Sequence, residues 1–242
     1  MTARALPDGI LLRDLTGMDE CHAAEDLQRA VWGADDLVDP GDLMMVIQQE
    51  GGLLAGAFRG GALLGYVFGF PTRDGAAQHS HRLATHPDAR GLGLGLALKW
   101  YQRDWCLTRR ITQVRWTYDP LRHANASLNI ARLGARVSTY LQDYYGAMEG
   151  INKGAPSDRL LTEWTLQAPN VAALAAGGPA AAVANALHVP IPKDFGALLL
   201  SDPDLALTER LRVRQVLIDH FGQGYKICGY DIARRSYLLT RD

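Results

Sequence analysis

The sequence predicts a folded, mixed α/β protein consisting of one core and a smaller structured addition, and three observations carry that reading. Segments with the two-residue alternation of strands follow segments with helical spacing. A glycine-rich turn joins two short apolar runs, and a second glycine-rich stretch stands between a strand and a helix. The bulk properties agree. With 242 residues the chain supports one large core and is short for two full domains. Its 48% hydrophobic and 21% charged residues exclude a disordered, collagen-like or coiled-coil chain.

A first strand is expected near Gly9 to Arg13, then an amphipathic helix over Met18 to Val31 and a helical segment from Gly41 to Gln49. Leu53 to Phe58 and Ala62 to Phe70 read as antiparallel neighbours across Arg59-Gly60-Gly61. His79 to Thr85 reads as a strand stopped by His86-Pro87, because proline has no N–H to give a ladder. Beyond Ala89 to Leu96 a helix begins, with Leu94, Ala97, Tyr101 and Trp105 expected on one face and Lys99, Gln102 and Arg103 on the other. Arg109 and Arg110 suit its C-terminal dipole. Ile111 to Tyr118 sets Val114, Trp116 and Tyr118 against Gln113, Arg115 and Thr117, as a strand does.

Thr165 to Pro192 contains no Asp, Glu, Lys or Arg, but alanine dominates it and Gly177, Gly178 and Pro179 interrupt it, so it reads as a helical linker rather than a membrane span. Ser201-Asp202-Pro203-Asp204 opens a last helix, with Leu207, Leu211, Leu217 or Ile218, and Phe221 expected inside. Arg210, Arg212 and Arg214 read as its solvated face. Tyr225 to Ile232 and Ser236 to Thr240 form a hairpin around Ala233-Arg234-Arg235. The expected organisation is a core over 1–168, an Ala-rich linker over 169–188 and an addition over 189–242. The addition is too small to stand alone, so it docks on the core or on a second subunit, which leaves a homodimer open.

Charge and cysteines narrow the function classes. Twenty-five basic against 26 acidic residues give a formal charge of −1, without the electrostatic footprint of a nucleic-acid or anionic-membrane binder. Cys21, Cys106 and Cys228 are odd in number and lack the paired spacing of a metal knuckle, a dithiol or a disulfide framework. With no apolar signal-peptide region near the N-terminus, they point to a reducing cytoplasm.

The stretch Arg90-Gly91-Leu92-Gly93-Leu94-Gly95 puts glycines at alternate positions at a helix start, which uncovers backbone N–H groups where the dipole is positive. A dinucleotide fingerprint needs a small residue where Leu96 stands, and a P-loop needs a Gly-Lys-Ser/Thr that is missing. A tight turn with glycines for close packing is the bland alternative. The stretch resembles the pyrophosphate loop of the GNAT superfamily of N-acetyltransferases, whose pattern Arg/Gln-x-x-Gly-x-Gly/Ala is met by Arg90, Gly93 and Gly95. The resemblance runs from about Asp8 to Leu166. It implies a GNAT-like, mostly antiparallel central sheet flanked by helices, with acetyl-CoA as co-substrate held by Arg90, Gly91, Leu92, Gly93, Leu94 and Gly95. A backbone N–H around Leu83, Ala84 and Thr85 is implied for the reaction's oxyanion. Asn125 to Ala135, ending in Leu133-Gly134-Ala135, looks like the family's next helix, and Asn125 and Asn129 are carried over as cofactor contacts. One departure is that Ile130 stands where the family often has a tyrosine acid, and nothing in spacing chooses among Tyr140, Tyr144 and Tyr145.

A narrower resemblance, to a group of longer predicted acetyltransferases, rests on four stretches: His79-Ser80-His81, Trp116 to Leu121, Asp143-Tyr144-Tyr145-Gly146, and Asn152 to Arg159. It implies a fold and a donor but no acceptor.

Acetyl transfer to an amine needs the neutral nucleophile, and an alkylammonium has a pKa near about 10.4, so a proton must be removed. His81, two residues before Leu83 and expected on its face, is one candidate base; Asp119, at the end of a sheet strand, is the second, although Asp-Pro is also an ordinary turn. The expected activity is therefore an acetyl-CoA-dependent N-acetyltransferase acting on a small amine or amino-acid-like molecule, with no metal. Two alternatives stay open: a non-catalytic acyl-CoA-binding module, and a hydrolase holding a metal on His79 and His81.

Overall fold

In the computed structural model the described residues are 4–34, 37–146 and 155–241. They divide into two compact units, Met1–Val114 and Arg115–Asp242. The fold is mixed α/β with mostly antiparallel strand pairing and flanking helices, as the sequence implied.

In the first unit β1 (Arg4–Ala5), β2 (Ile10–Asp14), β3 (Leu53–Arg59), β4 (Ala62–Pro71) and β5 (Ala77–Thr85) lie side by side in that order, each antiparallel to the next. All of Leu53–Phe58 is buried, which is why β3 reads as a continuous apolar run rather than an alternating one. The helices α1 (Gly17–Trp32) and α2 (Gly41–Gln49) supply Cys21, Ala24, Leu27 and Met44 to a core with Leu54, Phe58, Tyr66, Phe68 and Ala84. The third helix, α3 (Leu94–Leu107), packs against β3, β4 and β5.

Two details of this unit correct the sequence reading. Lys99 and Gln102 do not face solvent; they are 2% and 0% exposed. Lys99 Nζ donates to Gln102 Oε1 at 2.7 Å and Ser80 Oγ at 3.1 Å, and Gln102 Nε2 donates to Gln78 Oε1 at 2.7 Å. The polar residues Gln78 and Ser80 on β5 give this face of α3 something to bond, so it is buried although it is not apolar. The second detail is a bulge. Gly69 pairs with Ser80 and Phe68 with Arg82, so His81 is an extra residue in β5 and the side-chain alternation slips there. His81 and Arg82 therefore reach the same carboxylate, and His81 does not share a face with Leu83.

The second unit contains β6 (Gln113–Tyr118, which begins just before the division), α4 (His123–Ala126), a π-helical turn Ser127–Arg132, β7 (Arg136–Leu141) and β8 (Arg159–Thr165). It continues with α5 (Pro169–Ala175), β9 (Leu187–Pro190), α6 (Phe195–Ser201), α7 (Pro203–Gly222), β10 (Lys226–Asp231) and β11 (Ser236–Thr240). The strand order is β6-β8-β7-β10-β11-β9. Ile227 of β10 pairs with Val137 of β7, and Val213, Leu217, Tyr237 and Leu239 share one core with Tyr118, Val137 and Leu160. The stretches Arg159–Thr165 and Lys226–Thr240 thus belong to one packed unit.

The inner face of α7 is shifted by one position from expectation. Ala206, Arg210, Val213 and Leu217 are buried, while Leu207 and Leu211 are exposed. The receiving surface explains the shift, because it carries two carboxylates. Arg210 grips Asp119 through two hydrogen bonds of 2.8 and 2.7 Å, and Arg214 grips Asp158 through two of 2.8 and 2.6 Å. The arginines read as solvated are, at 210 and 214, what fixes the helix in place. Arg212 alone of the three pairs on its own helix, with Glu209.

Candidate functional site

The glycine-rich stretch forms an open turn at the start of α3. Pro87 ends β5 and begins a 3₁₀ turn, Pro87–Ala89, steadied by the Asp88 N–H donating to His86 Nδ1 at 3.2 Å and by burial of Ala89. Gly91 and Gly93 then take φ of +89° and +71°, a region that favours glycine, and Gly93 is the N-cap of the helix. A Cβ built on either glycine meets nothing within 4 Å, so the glycines serve backbone conformation and leave open space in front of the turn. No side chain caps the helix, and no acidic residue lies in its first turn. Its leading amides, at Leu94, Gly95 and Leu96, are those that helix geometry leaves without an internal acceptor. Arg90 is exposed beside them. A turn with uncapped leading amides can receive an anion, and its residues fit a pyrophosphate.

His81 stands on the strand that leads into this turn, in the same unit. Its Nε2 lies 3.1 Å from Asp39 Oδ1, while Arg82 Nε donates to Asp39 Oδ2 at 3.1 Å. Partial burial pushes the Asp39 carboxyl up, but the hydrogen bond from His81 and the charges and hydrogen bond of His81 and Arg82 outweigh it, leaving the group below its usual range. An ionised Asp39 only accepts, so His81 Nε2 is the donor in this contact. The buried Gln28 fixes Asp39 from behind: its Oε1 accepts the Asp39 N–H at 2.8 Å. Asp39 and Gln28 were missed by sequence reasoning, since nothing local marks a partner 42 residues away.

The rings of His79 and His81 are 6.1 Å apart and both pack on Phe70. Among the described residues no group of three His, Cys, Asp or Glu side chains converges as a metal site.

Leu83, Ala84 and Thr85 pair with Val67, Tyr66 and Gly65 of β4. The remaining candidates lie in the second unit. Asp119 is a correction to the sequence reading: both its oxygens are held by the buried Arg210, and Oδ1 also accepts the Leu121 N–H at 2.9 Å, so it serves as a structural anchor rather than a free base. Asn125 is exposed on α4, and Asn129 is buried within the π-helical turn, where its carbonyl accepts the Ala135 N–H. Ile130 is 3% exposed and belongs to the core. Tyr140 donates to Asp158 Oδ2 at 2.6 Å, and burial followed by this bond raises its pKa far above the ordinary phenol range. Tyr145 pairs with Thr117 Oγ1 at 3.1 Å, and Tyr144 is exposed. Asn152, Lys153 and Gly154, part of one quoted stretch, lie outside the described residues.

Residues 20–134, which include this turn, match the family model of the acetyltransferase (GNAT) family. Over those residues the chain is similar to GNAT acetyltransferases. Solved GNAT structures share its fold at low sequence identity. The ribosomal-protein-S18-alanine N-acetyltransferase of Escherichia coli matches at 16% identity and a TM-score of 0.54, over 73% of this chain and 97% of its own. The ribosomal-protein-S5-alanine acetyltransferase of Vibrio fischeri gives 14% and 0.55, over 69% and 98%. A GNAT superfamily phosphinothricin acetyltransferase from Sinorhizobium meliloti, solved in complex with acetyl-CoA, gives 19% and 0.52, over 67% and 88%. Among curated proteins, none matches the chain significantly. No helix among the described residues is long and apolar enough to cross a membrane.

Proposed function

We propose that this chain is an acetyl-CoA-dependent N-acetyltransferase that modifies the amine of a small molecule or amino-acid-like acceptor by direct attack on the thioester. The observation that carries the reading is the turn Arg90–Gly95, with its positive-φ glycines, open leading amides and unfilled space. Leu94, Gly95 and Leu96 would donate their N–H groups to the donor's pyrophosphate, and Arg90 would add a charge-assisted contact. Acetyl-CoA, when bound, supplies an activated acyl group whose C–S bond is exchanged for an amide C–N bond, releasing CoA thiol.

His81 takes the proton that the acceptor ammonium must lose, through Nδ1 and directly or by way of water. Asp39 is its positioning residue: it fixes the tautomer and stabilises the imidazolium once the proton arrives. Leu83 to Thr85 are the backbone proposed to donate to the developing oxyanion, and Asn125 and Asn129 to contact the donor. The free cysteines, with Cys21 and Cys106 buried, support a reducing compartment and so the cytoplasm.

The buried Ile130 in place of a tyrosine acid favours a second reading, a module that binds acyl-CoA without turning it over. One assay separates the two: CoA-thiol release over a panel of amines, amino acids and peptides. The enzyme reading expects acceptor-dependent thiol, and His81→Ala should lower the rate by about 10²-fold to 10⁴-fold while leaving acetyl-CoA affinity unchanged. A loss below roughly tenfold with a good acceptor would assign the proton to water. Binding with no thiol from any acceptor would favour the module.

A further inference from the structure

The second unit carries a half-open cavity of about 560 Å³ that no part of the proposed donor chemistry uses. All its lining residues belong to Arg115–Asp242, whereas Arg90–Gly95 belongs to the first unit. The volume is in the range of small-molecule sites. Ile130, Leu174 and Leu238 form apolar wall. The outer wall is the Ala-rich segment Ala180–Asn185, and Gly229 seats it: a Cβ on Gly229 would come within 2.8 Å of Val183 Cγ2. This glycine follows a bulge. Ile227 pairs with Leu239 and Gly229 with Leu238, so Cys228 is the extra residue, its thiol among the cavity's lining groups and its sulfur accepting the Thr240 hydroxyl at 3.2 Å.

The polar part of the lining has one sign. Two arginines, Arg136 and Arg241, stand there with neutral amides and hydroxyls, and no Asp or Glu does. The Arg241 guanidinium is held over the Tyr225 ring at 4.6 Å, at the exposed end. An apolar patch beside a guanidinium stacked on Tyr225 matches a ligand that has an apolar body and an anionic head. We propose that this cavity binds a small amphipathic carboxylate, independently of the acetyl donor.

The test uses octanoate as probe on the full-length protein, with octylamine and octanol as controls of equal tail length. Two readouts are taken: calorimetric titration, and the rate of maleimide labelling at Cys228, located by mass spectrometry. Cys228 is half-buried, while Cys21 and Cys106 are buried, so its labelling reports on the cavity. Saturable octanoate binding is expected, with slowed Cys228 labelling, no comparable effect of octylamine, and persistence under saturating acetyl-CoA. Arg241→Glu, on an exposed position that leaves the fold intact by circular dichroism, should weaken octanoate binding by about tenfold or more without changing octanol, as expected for a charge-assisted contact. Octanoate without Cys228 protection, equal protection by octylamine, or unchanged binding in Arg241→Glu would each overturn the proposal.

Discussion

The two carboxylates held by arginines of α7 show how charge acts at the scale of single residues. Asp158 has a fully buried side chain that accepts from Arg214, Tyr140 and the Asp143 N–H. Desolvation raises its pKa, but the Arg214 and Tyr140 hydrogen bonds outweigh burial and leave it below the ordinary value of 3.8. A carboxyl depressed on folding contributes its full stabilisation above the unfolded pKa and loses it as pH falls through the lower folded value. Stability should therefore fall below about pH 4. Asp158→Asn should cost roughly 1.5–3 kcal/mol at pH 7, the worth of hydrogen bonds to a charged group, and should flatten that acid limb. Denaturant titrations at pH 7 and pH 3.5 on both proteins check it. At this scale the sequence was readable where chemistry is local. Gly91 and Gly93 mark the turn before α3 because one short stretch contains both the positive-φ positions and the helix start. Asp119 was misread because its partner, Arg210, lies 91 residues on, and no periodicity links them.

At the scale of elements, α3 illustrates why a helical pattern identifies a helix better than its buried faces. Its limits followed from the glycine turn and the apolar spacing, but a polar strand surface on β5 drew Lys99 and Gln102 inward. Burial lowers the Lys99 pKa to about 7, against about 10.4 in an unfolded chain. Between those values the unfolded chain holds the extra proton, so stability rises with pH across that window. From pH 7 to pH 9 the gain attributable to Lys99 should be about 2 kcal/mol. Lys99→Met, similar in shape, should remove that slope. Urea unfolding at the two pH values measures it, and an unchanged slope would mean that Lys99 is charged in the folded protein. The face of α7 was displaced for the same physical reason: Asp119 and Asp158 selected Arg210 and Arg214 over Leu207 and Leu211. The bulge at His81 was invisible as well, because a register slip depends on the paired strand.

For the whole molecule, the two units each contain a core of their own, and the division does not follow the boundary at 168 that composition suggested. Structural relatives such as the Escherichia coli enzyme cover 73% of this chain, so part of it has no counterpart there. Within the second unit, Tyr118, Val137 and Leu160 pack with Val213, Leu217, Tyr237 and Leu239. Truncation after Ala168 would remove half of that core and strip Asp119 and Asp158 of their arginines. Breaking a buried pair from one side costs about 3–5 kcal/mol, a large part of the stability of an ordinary domain. The truncated chain should therefore lose the protease resistance of the second unit, as read by limited proteolysis with mass mapping. A truncation that keeps cooperative unfolding and full turnover would show that the C-terminal segment is an appendage.

The central claim is that Arg90–Gly95 receives the pyrophosphate of acetyl-CoA, and it is tested most directly by calorimetric titration of acetyl-CoA into the wild type and Gly93→Val. Gly93 has φ of +71°, where a β-branched residue is strained, and a side chain there would enter the open space in front of the leading amides. The wild type should bind saturably. Gly93→Val, with its fold intact by circular dichroism, should lose affinity by at least about tenfold, a change of roughly 1.4 kcal/mol or more. Wild-type affinity in a folded Gly93→Val protein would contradict the assignment.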